Sequence, residues 1–125
     1  MKTSIRTVFA CAALMAFSAA WAHHTFARFD AGKVLTLHGT VRELQWNNPH
    51  CFIQLLVADE NGTNEWAVEM GSPMVLARVG WKPNSIKAGD KVTLVIHPLK
   101  DGGRGGSFMS ATAEDGTALG KRAPQ

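Results

Sequence analysis

The tetrapeptide Asp59-Glu60-Asn61-Gly62 constrains this chain more than any other feature, because it joins two alternating apolar segments through a turn short enough to set their pairing. With Glu60-Asn61 as the loop, the strand His50–Ala58 lies against the strand Thr63–Met70. Cys51 then faces Met70, Ile53 faces Val68 and Leu55 faces Trp66, which makes one continuous apolar face. The other face carries His50, Phe52, Gln54, Glu65 and Glu69. In this register Cys51 is expected to be a buried small hydrophobe rather than a reactive thiol.

A longer strand precedes the hairpin, from Val34 to Trp46. Leu35, Leu37, Gly39 and Val41 share a face by alternation. The apolar set then resumes out of phase at Leu44 and Trp46, which predicts a bulge near Arg42-Glu43 and a bend in the strand. Asn47-Asn48-Pro49 makes the turn into the hairpin. After the hairpin, Ser72 caps a short helix with Pro73 at its first position and Gly80 beyond its end. Ala88-Gly89-Asp90 turns into a fourth strand, Lys91–His97, which Pro98 ends. Asp101–Gly106 reads as a flexible loop, and Phe108–Glu114 as a fifth strand closed by Asp115-Gly116. Three strands, one short helix and two strands, with the first strand bent, is the order of an all-β, OB-fold-like five-stranded Greek-key barrel. An immunoglobulin-like sandwich would need about seven strands and has no place for the helix.

The amino terminus reads as a secretory signal peptide. Lys2 and Arg6 precede the apolar run Val8–Phe17, and Ala20-Trp21-Ala22 supplies a cleavage site. The run is shorter than the roughly 20 residues of a comfortable bilayer crossing, so no stable membrane insertion is expected after cleavage. Residues 1–22 are thus expected to be removed with Cys11, leaving residues 23–125 as a single domain in the periplasm or outside the cell. Two of the chain's 13 Lys and Arg residues lie in that leader, and 10 Asp and Glu offset the others, so the mature chain is near neutral. Phosphate-driven binding of nucleic acid is not expected of such a surface. Cys51 has no partner for an intramolecular disulfide, so stability must come from the core.

Several ordered motifs now stand together. Ala22-His23-His24-Thr25-Phe26-Ala27-Arg28-Phe29-Asp30, then Leu37 with Gly39-Thr40-Val41, and Gln45-Trp46-Asn47-Asn48-Pro49-His50 are three of them. Pro73 with Leu76 and Arg78, Gly80-Trp81, Gly89-Asp90 and His97-Pro98-Leu99 are the others. As a set they resemble the small secreted proteobacterial proteins grouped as domain of unknown function 6152, across essentially the whole mature chain. The resemblance implies a stand-alone periplasmic β-barrel with recurrent histidines at His23, His24, His50 and His97. It implies no settled activity. Thr25 stands where serine is usual, and His38 lies where the pattern asks for no histidine.

No serine sits on a Gly-x-Ser-x-Gly elbow, and Gly102–Gly106 lacks the Lys-Ser/Thr of a phosphate loop. Trp46 and Trp81 are open as ligand-stacking residues, whereas Trp66 falls on the core face. The histidines are the unusual feature. Cleavage after Ala22 would give His23 a free α-amine beside its imidazole, a bidentate pair that one further imidazole completes as a nitrogen site suited to copper. His24, His50 and His97 are the further donors. The barrel topology sets His50 near the end of the first strand and His97 near its start, so the two are expected to lie apart unless the bend joins them. The alternative is that His50 and His97 cap strand ends while His23-His24 carries no metal. The functions in contention are a copper-linked periplasmic binding module, a metal-free module that takes a peptide, glycan or protein partner at the barrel rim, and an enzyme of copper-oxygenase type. The third is weakest, since the chain shows no acid–base pair, and the protein is not expected to be an enzyme.

Overall fold

The computed structural model describes residues 27–120. The elements are β1 (Leu35–Gln45), β2 (Phe52–Asp59), β3 (Gly62–Glu69), α1 (Pro73–Arg78), β4 (Lys91–Pro98), β5 (Gly105–Ala113) and β6 (Ala118–Leu119). The hairpin has the register set by its turn: Ile53 pairs with Val68, Leu55 with Trp66 and Asp59 with Gly62. At its open end the Cys51 N–H donates to the Gly71 carbonyl (3.0 Å) and the Met70 N–H to the Cys51 carbonyl (2.8 Å). Two residues of one chain segment therefore oppose one of the other.

β1 is bent where its apolar phase slips. Its pairing with β2 jumps between Val41 and Glu43, leaving Arg42 unpaired in the ladder. The bend lets one strand serve two neighbours: Leu35–Thr40 pair with β4, and Thr40–Gln45 with β2. Gly39 stands at the crossing because a Cβ there would lie 2.5 Å from the Leu56 carbonyl oxygen. The ring closes through a short parallel pairing of Ala67, Val68 and Glu69 with Gly105, Gly106 and Ser107. Strand neighbours run β1-β2-β3-β5-β4 and back to β1, the closure of an OB-fold-like barrel.

Closure corrects the reading of the glycine-rich segment. Gly105 and Gly106 are buried residues of β5, which starts three residues before Phe108. Their lack of a side chain is the reason. A Cβ on Gly106 would meet the His97 carbonyl oxygen at 2.5 Å, and one on Gly105 the Ala67 carbonyl oxygen at 2.9 Å. Composition suggested mobility, whereas the glycines serve close backbone approach. The structure also adds β6, whose two residues pair with Ala111 and Thr112.

α1 is capped as expected, with the Ser72 hydroxyl accepting from the Val75 N–H at 3.4 Å. It sends Leu76 into a core that includes Val41, Ile53, Leu55, Val68, Leu94 and Ile96. Each such side chain contributes about 1.5–3 kcal/mol by leaving water. Trp81 belongs to this core, 2% exposed and edge-on to Phe108 at 5.6 Å between ring centroids. It is therefore not a surface for ligand stacking. Trp46 and Trp66 are half-buried against the same cluster. Among the described residues no helix is long and apolar enough to cross a membrane.

Cys51 is fully buried. Burial raises its thiol pKa, opposed by the Asn47 carbonyl 3.8 Å from the sulfur. A thiol reagent should therefore label native protein far more slowly than the denatured chain, and equal rates would show the hairpin register to be wrong. Cys51→Ser should lower stability by about 1–3 kcal/mol in denaturant unfolding, since a hydroxyl at this spot is poorly bonded.

Candidate functional site

The segment before β1 builds the site. Phe29 bridges Leu99 in antiparallel fashion, the Asp30 N–H donates to the Pro98 carbonyl (2.9 Å), and the Lys100 N–H to the Arg28 carbonyl (3.0 Å). Residues 28–33 thus form a strap along the outgoing end of β4. Asp30 tightens its turn, accepting from the Gly32 N–H (3.1 Å) and pairing with Lys33 (3.2 Å). The Lys33 contact is the largest cause of its lowered carboxyl pKa. A lowered carboxyl pKa means that Asp30 supports the strap at neutral pH and that this support is lost as the pH falls through the lowered value.

His97 is bound to this strap. Its Nδ1 lies 2.7 Å from the Lys33 carbonyl oxygen. His50 stands just before β2, with Nδ1 3.2 Å from the Met70 carbonyl oxygen. A carbonyl oxygen only accepts, so in both neutral rings Nδ1 carries the proton and Nε2 carries the lone pair. His38 lies elsewhere, on the β1–β4 surface, with Nδ1 2.9 Å from the Thr93 hydroxyl.

The β3–β5 seam shortens the separation of His50 and His97 that the topology imposes. Along β1 they remain at opposite ends, since Phe52 pairs with Gln45 and Ile96 with Leu35. Around the barrel, however, His97 pairs with Ser107, Ser107 with Glu69, and Glu69 with Phe52. His97 and Glu69 are two strand spacings apart, about 10 Å between backbones. Glu69 is also beside His50, with Oε1 3.6 Å from its Nδ1. His50, Glu69, Ser107, Phe29 and Phe108 surround a cavity of about 110 Å³ at this mouth of the barrel, with Met70 and Gly71.

Alternation alone does not reveal Glu69 and Arg28 as site residues. Glu69 does alternate with Val68, but the strap covers it to 7% exposure, and Arg28 pairs with its carboxylate. The Arg28 guanidinium also lies 4.8 Å from the centre of the Phe29 ring. An acidic residue between Val68 and Met70 was the available signal, together with the charged Arg28-Phe29-Asp30 run. Of the four histidines expected to bind metal, His23 and His24 lie outside the described residues. Among the described residues no three His, Cys, Asp or Glu side chains are grouped closely enough to hold a metal ion. A second, open cleft of about 540 Å³ lies at the other end of β4, beside Asp90, Lys91, Glu114 and Asp115. It contains no histidine.

Fold and site together define a small OB-fold-like barrel with a strap-covered, histidine-bearing mouth. The chain belongs to the family of unknown function DUF6152, whose model matches residues 10–109. No curated protein and no solved structure matches it.

Proposed function

We propose that this protein is a periplasmic or secreted binding module that takes a copper ion at the strap-covered mouth, with the α-amine and imidazole of His23 as principal donors and His50 as the barrel's contribution. His24 and His97 are the further candidate donors. One observation carries the reading: His50 and His97 each have Nδ1 tied to a main-chain carbonyl, which presets the ring and leaves Nε2 with the lone pair. Metal-ligating histidines are usually held in this way. The basic start, apolar run and Ala-x-Ala of the first 22 residues support the compartment, and a cut after Ala22 would supply the chelate.

The test is the metal content of protein purified from the periplasm with its native terminus. One copper per chain is expected, and intact mass should begin at His23. Metal-free protein that titrates no better than an unfolded histidine-containing peptide would contradict the reading. A metal-free interaction module would then take its place, for which the exposed Met74 and Val75 of α1 are the favouring observation.

A further inference from the structure

We propose that the cavity beside Glu69 binds a primary alkylammonium group, carried by a small amine or by a lysine of a partner protein. Glu69 is the one charged side chain among the buried described residues, at 7% exposure. Burying a carboxylate is unfavourable unless its oxygens are paired, and an apolar residue would fill the same space without that penalty. Only one oxygen is paired here. Oε2 accepts from Arg28, whereas Oε1 has Nδ1 of His50 3.6 Å away, and that N–H already donates to the Met70 carbonyl. Among the described residues no fully enclosed side-chain N or O atom lacks a hydrogen bond. An Oε1 that accepts none from them is therefore open to the cavity that Glu69 lines.

The rest of the lining selects the ligand. Phe29, Met70 and Phe108 supply apolar walls, and Ser107 adds a hydroxyl. Ser107 pairs with Glu69 across the β3–β5 seam, which sets the two side chains on one face of the sheet. An ammonium brings three N–H donors and no acceptor, which suits a carboxylate oxygen and a hydroxyl oxygen beside apolar walls. Glu69 repels an anion, and a neutral alcohol makes a weaker bond to it than an ammonium does. Arg28 does not cancel this attraction, because half of its side chain is in water, where its charge is screened. Size agrees as well. A cavity of about 150 Å³ takes benzene, so one of about 110 Å³ takes about five heavy atoms. Butylammonium matches that count, and so does a lysine side chain.

The proposal needs neither copper nor any residue before Arg28, so it is tested with a metal chelator present, and its failure would leave the copper reading standing. Nitrogen-15 NMR follows the titration of the protein with n-butylammonium, 1-butanol and butyrate at neutral pH and constant ionic strength. Butylammonium should shift the amide signals of Gly71, Ser107 and Phe108 and bind about tenfold more tightly than 1-butanol or better, while butyrate should not bind. Glu69→Gln should remove that preference. Glu65 lies on the same strand and pairs with Arg42 at the surface, so Glu65→Gln should keep it. If Glu69→Gln does not fold, the comparison of the three ligands on wild-type protein decides. An acetylated peptide with one central lysine, set against its norleucine counterpart, separates the two sources. Lysine-dependent shifts at the same amides assign the cavity to a partner's side chain, and binding of butylammonium alone assigns it to a small amine. Equal affinities for butylammonium and 1-butanol, or an unchanged preference in Glu69→Gln, would overturn the proposal. So would shifts centred on Asp90 and Glu114, which would put the amine in the cleft at the other end of β4.

Discussion

Gly106→Val should force β5 away from β4 and lower the melting temperature by on the order of 15 °C. Even the first carbon of the new side chain has no room: 2.5 Å from the His97 carbonyl oxygen and 2.6 Å from Ile96 Cδ1. One of these neighbours is backbone and the other a fully buried core residue, so neither can yield cheaply. The loss should reach or exceed the roughly 1–3 kcal/mol typical of overpacking. Thermal unfolding followed by circular dichroism measures it. Gly102→Ala provides the contrast, because a Cβ there meets nothing within 4 Å and only its positive φ of 77° is strained. If Gly106→Val melted like wild type, the close approach of β5 to β4 at Ile96 and His97 would be wrong. So would the alignment of His97, Ser107 and Glu69 that depends on it.

His23→Ala should abolish high-affinity copper binding, the largest functional effect expected of any single substitution here. It removes the imidazole of a proposed two-atom chelate, leaving the amine without the nitrogen that closes a six-membered chelate ring. His38→Ala should leave binding nearly unchanged, since His38 sits on the β1–β4 surface with Thr93. Affinity should also fall as the pH drops through about 6–7, because amine and imidazole must lose protons to coordinate. Competition titration at several pH values measures both effects. Full affinity in His23→Ala would assign the ion to other residues.

Much of the barrel was legible because local chemistry and global pattern agree. Asp59–Gly62 determined the hairpin register, and the phase slip after Val41 located the β1 bulge. Ser72, Pro73 and Gly80 bounded the helix. The readings that failed concern close approach in three dimensions. Gly105 and Gly106 look like loop residues until β3 is placed beside them, since nothing local distinguishes a glycine needed for freedom from one needed for space. Trp81 looks available until it is found buried against Phe108. At the site, the recurrence of histidines marked His50 and His97. Their shared dependence on main-chain carbonyls required Lys33 and Met70 to be placed. Glu69 needed the strap to be placed, since nothing periodic announces that Arg28 pairs with its carboxylate.

The central claim is that the amino terminus itself holds the ion, and a single added residue tests it. Cu(II) is titrated into protein beginning at His23 and into protein carrying one glycine before His23, with both masses verified. The extension leaves every side chain in place but turns the α-amine into an amide, a poor ligand unless deprotonated. The native protein should bind one Cu(II) at least about tenfold more tightly, the ratio expected when the lost donor contributes 1.4 kcal/mol or more. Equal affinities for the two proteins would contradict the account.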